Sequence, residues 1–359
     1  MMHRPLSIAI ICALFAVPAF AQDDAAPSSP SPTAMAPAGA RHVILCGSGG
    51  EEEYSPKFRE WGRRLRDVLV NRLGALPATV SLLMEPESAP HPPGTTTSLE
   101  SIQALFQTLA KSGAADEVFV YLIGHGSYLK NESKFQIPGP DLTAEALEAM
   151  LAELPAQRLV VIDGSSSSAG FINVLSAPNR IICAATKSAT EVNATEFMRL
   201  FIEALEDGSA DQDRDERISV LEACEQAASL TASYFTSATL IATEHAILDD
   251  NGDGLGTRLP IQTTLQEAPP KDEPLAISPD GALADAVFIK NFSFPPKAPK
   301  ELIDTYLASL AEIKALKASK AQQLEDEYYA ALETLLLKAA RTNRDIRAYA
   351  EPSGTVAQP

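Results

Sequence analysis

Val118-Phe119-Val120-Tyr121-Leu122-Ile123-Gly124-His125-Gly126-Ser127 is the stretch that decides how this chain folds. Six apolar residues in a row describe a strand covered on both faces, and two glycines around a histidine describe a tight turn at its end. Further along, Leu159-Val160-Val161-Ile162 repeats the pattern and runs into Asp163-Gly164-Ser165-Ser166-Ser167-Ser168-Ala169-Gly170. A histidine at the end of one strand and a hydroxyl at the end of another is an arrangement suited to dyad chemistry on a parallel sheet.

Outward from these two strands the same alternation continues. His42 to Cys46 reads as a strand leading to Gly47-Ser48-Gly49-Gly50, followed by a helix over about 57–73 with Phe58, Trp61, Leu65, Val68 and Leu69 on one face. A strand over 79–84, a Pro- and Thr-rich loop over 85–97 and a helix capped by Ser98 and reaching Lys111 come next. After Pro138-Gly139-Pro140, Asp141 is expected to cap a helix over 142–154, and a short helix over 171–175, a strand over 180–185 and a helix over 195–205 complete the series. The fold class that follows is α/β, a three-layer sandwich around a mainly parallel sheet, with a C-terminal helical hairpin or long helix.

The expected organisation is a signal peptide over 1–21, a disordered linker over 22–40, the α/β domain over 41–260, a Pro-rich connector over 261–298, a helical segment over 299–347 and a disordered tail over 348–359. The leader has His3 and Arg4, an apolar stretch from Leu6 to Val17, and Ala19-Phe20-Ala21 before the cleavage point, which implies a secreted or periplasmic protein. No segment qualifies as a membrane span. The formal net charge of -18 argues against nucleic acid and anionic membrane as partners, both of which require clustered positive charge. Excluding Cys12 in the leader, Cys46, Cys183 and Cys224 are too few and odd in number for a disulfide framework and read as small core residues. Gly47-Ser48-Gly49-Gly50 lacks the spacing of a nucleotide fingerprint, and Glu51-Glu52-Glu53 behind it would repel phosphate. In the tail, Ile303, Leu307, Leu310 and Ile313 form one apolar seam and Leu324, Tyr328, Leu332, Leu335 and Ala339 another. This segment could cap the main domain, or bring in a protein partner or a second copy.

A strand ending in Gly-His-Gly and, about forty residues later, one ending in Asp-x-Cys belong to the caspase–hemoglobinase fold, and within it the legumain-like cysteine peptidases; with Asp163-Gly164-Ser165 at the second place, this chain resembles that group over residues 41–254. The resemblance implies that His125 is the base, that the backbone N–H of Gly126 holds the oxyanion, and that Ser165 occupies the cysteine position. Serine there is a departure with a physical consequence. A thiol beside a histidine is readily ionised, whereas a hydroxyl needs a histidine itself oriented by a carboxylate. Asp163 is the candidate orienter by sequence, although on this fold its side chain should point away from His125, and Ser166 or Ser167 could take the nucleophile slot if the register slips. Cys183 lies one strand too late to replace the thiol. The expected function is an inactive peptidase homologue that binds a peptide or protein. The rivals are a hydrolase using His125 and Ser165, and an interaction protein acting through residues 299–347.

A second constellation stands apart from the dyad. Asp211-Gln212-Asp213-Arg214-Asp215-Glu216-Arg217-Ile218-Ser219-Val220-Leu221-Glu222 has the spacing of an EF-hand calcium loop. Asp211, Asp213 and Asp215 supply carboxylates, Arg217 its backbone carbonyl, and Glu222 the bidentate ligand. Glu216 stands where glycine would allow a left-handed turn. Asp249, Asn251 and Asp253 offer a weaker calcium site, with Pro260 in place of the final carboxylate, or a plain Asx-rich turn. His3, His42, His91 and His245 show no metal spacing, and no other cofactor is expected.

Overall fold

The computed structural model describes residues 39–86, 95–261, 279–292 and 294–350. The expected leader, nearly all of the linker after it, the middle of the loop over 85–97, residues 262–278 of the connector and the tail from 351 lie outside the described residues.

The chain enters through β1 (Arg41–Cys46) and turns into α1 (Tyr54–Asn71), which buries Phe58, Trp61, Leu65, Val68 and Leu69. Their three- and four-residue spacing puts them on one face of the helix. β2 (Val80–Leu83) and α2 (Leu99–Lys111) follow, the latter capped by the Ser98 hydroxyl, which accepts the Ser101 N–H. β3 (Ala115–Ile123) is continuously buried from Val118 onward. Beyond it the chain forms a small antiparallel sheet of β4 (Gly126–Leu129), β5 (Glu132–Phe135) and β6 (Leu142–Thr143). Next come α3 (Ala144–Ala152), β7 (Ala156–Asp163), α4 (Ala169–Leu175), β8 (Arg180–Ala184) and α5 (Phe197–Asp207). β9 (Ile218–Ser219), α6 (Val220–Ser237), β10 (Ile247–Asp249), β11 (Thr257–Arg258) and β12 (Phe288–Lys290) precede the helices α7 (Lys300–Ala318) and α8 (Glu325–Arg347).

Seven strands form the main sheet in the order β11-β10-β8-β7-β3-β1-β2. The run from β2 to β8 is parallel, and β10 and β11 continue it antiparallel. Alternate residues of each strand face opposite layers. Phe119, Tyr121 and Ile123 pack with Leu65, Phe201 and Ala227 from α1, α5 and α6. Val118, Val120 and Leu122 pack with Phe106, Leu147 and Phe171 from α2, α3 and α4. The chain is therefore the three-layer α/β sandwich expected from its strands, which carry apolar residues at every position because both faces are covered. Cys46, Cys183 and Cys224 are free and buried.

Several boundaries differ from the sequence reading. The helix expected to begin after Asp141 starts at Ala144 and is capped by Thr143, because Leu142 and Thr143 are drawn into pairing with β5. α6 stops at Ser237 and Thr239 takes a left-handed φ of 57°, so His245 lies on a loop. Part of the expected connector is built into the fold: β12 pairs antiparallel with β9. α7 and α8 pack as a hairpin around Tyr306, Ile313, Ala339 and Ile346. Among the described residues no helix is long and apolar enough to cross a membrane.

Candidate functional site

β3 and β7 are neighbours in register, with Leu122 opposite Asp163, and the Gly164 N–H donates to the Leu122 carbonyl at 3.0 Å. The two strands therefore release His125 and the four serines at the same rim of the sheet. His125 is half-buried, with its ring edge-on to Tyr54 at 4.6 Å and Phe58 at 5.0 Å, both from α1. Burial lowers its pKa below the ordinary value, and the field of Glu51 and hydrogen bonding to the Gly49 backbone partly oppose this.

The serines turn away from it. Ser165 to Ser168 are all buried, none more than 2% exposed, so the loop offers no hydroxyl to solvent. The Ser165 hydroxyl donates to Asp163 Oδ1 at 2.6 Å, and the Ser165 N–H donates to the same oxygen at 2.9 Å. Asp163 is fully buried, its Oδ2 has no partner, and burial pushes its pKa up to about 6. Its carboxylate serves Ser165 and makes no hydrogen bond to His125. Ser166 Oγ accepts the Gly126 N–H at 3.1 Å and donates to the Gly126 carbonyl at 3.2 Å. Ser167 sits at a φ of 56°, and its N–H donates to the Glu191 carbonyl at 2.8 Å. Ser168 Oγ pairs with Thr186 Oγ1 at 3.1 Å.

Among the described residues no hydrogen bond joins His125 to any of these hydroxyls. A serine nucleophile requires that bond, and an oxyanion requires a free N–H aimed at it. Here the hydroxyl is bonded to a carboxylate and the N–H of Gly126 is occupied by Ser166. Gly126 is fixed by this close approach: a Cβ there would stand 2.2 Å from the Ser166 carbonyl oxygen and 2.7 Å from Ser165 Oγ.

One pairing near the loop has no signature in the sequence. His245 Nδ1 lies 2.6 Å from Glu191 Oε1, across 54 residues of chain, and Glu191 also holds the Ser167 N–H through its carbonyl. Glu244 beside it is buried, and its two carboxylate oxygens accept the N–H groups of Glu196 and Phe197 at the start of α5.

The acidic loop joins α5 to α6. Asp211, Asp213 and Asp215 each offer an oxygen within 4.8 Å of the others. Glu216 adopts the left-handed φ of 73° that glycine would supply in an EF-hand loop. Glu222 Oε1 accepts the N–H groups of Gln212 and Asp213, and Oε2 accepts the Ser219 N–H and hydroxyl. The Arg217 side chain reaches Asp215 and lies over the Phe288 ring at 4.1 Å. Burial is the main cause that raises the pKa values of Asp213 and Glu222. The second acidic segment closes a turn: Asp249 accepts the N–H groups of Gly252 and Gly254, Asn251 that of Asp253, and Asp253 that of Leu255.

No protein-family model matches the chain, and no curated protein matches it in sequence. Among solved structures, the fold is similar to the crystal structure of the Drosophila initiator caspase Dronc, at 12% identity over 62% of this chain and 82% of that one. The TM-score is 0.38, a likeness too slight to define a family or an activity.

Proposed function

We propose that this chain is an exported, caspase- and legumain-like protein whose nucleophile loop is closed, and that it acts by binding a peptide or protein ligand. One observation carries the reading: Ser165 is bonded to Asp163 while Ser166 holds the N–H of Gly126. Two independent elements of acyl-transfer chemistry are engaged elsewhere, so replacing the missing thiol alone does not assemble a site. Incubating the mature protein with a diverse peptide library should give no cleavage, and Ser165→Cys should give none either. Cleavage by the wild type that disappears in His125→Ala would overturn the reading in favour of an active hydrolase. Loss of ligand binding on deletion of 299–347 would move the function to the C-terminal hairpin.

A calcium ion at 211–222 is proposed beside it. The left-handed backbone of Glu216 favours it, because an L-residue held there costs about 1 kcal/mol and a bound ion offsets a cost of that size. Asp211, Asp213, Asp215 and Glu222 would supply side-chain oxygens and Arg217 its carbonyl. Calorimetric titration with calcium chloride should give heat for the wild type and none for Asp213→Ala. Absence of heat in both removes the ion.

A further inference from the structure

A half-open cleft of about 760 Å³ lies between the end of α6, the 240–246 loop and the edge strand β11. That is within the size of small-molecule sites, about 300–1,000 Å³. Its wall is largely apolar, with Phe235, Leu240 and Leu259, and beside three threonines it carries three titratable residues, Glu244, His245 and Arg258.

The polar groups are the informative part. Glu244 is only 3% exposed, and among the described residues no cation pairs with it. Two of the roughly four acceptor positions of its carboxylate are filled by the Glu196 and Phe197 N–H groups, which leaves capacity for a charged donor. Burial and the fields of Glu196 and Glu191 raise its pKa to about 7, the mark of an anion short of positive charge. His245 is tied through Nδ1 to Glu191. Arg258 projects from the outermost strand, is exposed, and makes no ion pair among the described residues. The cleft thus presents an anion without a counter-ion, a cation without a counter-ion and an apolar wall.

We propose that this cleft binds a small zwitterion with an apolar body, an amino-acid-sized molecule whose ammonium group is taken by Glu244 and whose carboxylate is taken by Arg258. A ligand of this kind supplies both missing charges at once, whereas a simple cation or anion supplies one. The serine loop does not line this cleft; the two are linked through Glu191, whose carboxylate holds His245 and whose carbonyl holds the Ser167 N–H.

The test is calorimetric titration of the mature protein with L-leucine and L-phenylalanine, with n-butylammonium and butyrate as half-ligands. At least one amino acid should bind saturably, and both half-ligands should bind at least ten-fold more weakly. Arg258→Gln should weaken amino-acid binding at least ten-fold, and Ala232→Trp, at the rim of the cleft, should abolish it. Both variants leave the α5 cap of Glu244 untouched, so folding, checked by circular dichroism, is preserved. Glu244→Gln should lose binding as well. No saturable binding of either amino acid overturns the proposal, as does an unchanged affinity in Arg258→Gln or equal binding of n-butylammonium.

Discussion

The serine loop and the acidic loop both carry a recognisable pattern of functional side chains, yet they present them in opposite ways. Residues 165–168 are buried, and the hydroxyls of Ser165, Ser166 and Ser168 are bonded inward, to Asp163, Gly126 and Thr186. Residues 211–216 lie largely at the surface, with three carboxylates gathered around a left-handed turn. The difference lies in what each loop connects. The serine loop joins a central strand to a helix of the sandwich and is closed over by the β3–β4 segment. The acidic loop joins two outer helices and is bounded by the β9–β12 pairing and by α8, whose Arg347 pairs with Glu216.

The largest effect expected from this contrast is at Gly126. Gly126→Ala drives a Cβ against the backbone of the serine loop, which cannot move as a flexible side chain would. The change should cost on the order of 2–3 kcal/mol, read as a lowered urea midpoint. A neutral result would mean that the two loops do not interlock.

Next is Ser165→Ala, which removes a hydroxyl from a buried carboxylate and should cost about 2 kcal/mol at pH 8. The pH dependence has a definite sign. Asp163 has a folded-state pKa of about 6, above its ordinary 3.8, so the stability it contributes is complete below the ordinary value and is lost as pH rises through 6. The Ser165 hydroxyl bonds the ionised form and offsets part of that loss. The deficit of Ser165→Ala should therefore be greatest above pH 6 and smallest below pH 4, measured as the difference in unfolding free energy between the two proteins.

The acidic loop should respond more mildly and in the other direction. Glu216→Gly relieves a left-handed L-residue and should raise stability by up to about 1 kcal/mol in the presence of a chelator. Thermal unfolding would show it. Arg347→Ala, which removes the exposed ion pair between α8 and Glu216, should change stability by less than about 0.5 kcal/mol. A larger loss there would mean that the loop is held by the C-terminal hairpin rather than by β12.

The core of this fold was legible because its parallel strands are covered on both faces, so Val118–Ile123 and Leu159–Ile162 read as unbroken apolar runs. β10 and β11 were missed because three and two residues are too short to show periodicity. Asp141 lost the cap to Thr143 because strand pairing, which is not local, claimed the residues between them. The placing of His125 and the serines at one rim followed from strands that end together. Which partner each hydroxyl takes did not, because the Ser166–Gly126 contact spans 40 residues and depends on how two loops fit.

Glu191 gives the molecule a junction. Its carbonyl anchors Ser167, and its carboxylate anchors His245 on the wall of the cleft beside β11. The contact that anchors the serine loop and the contact that shapes the cleft thus run through a single residue, so a change of side chain at 191 reaches both.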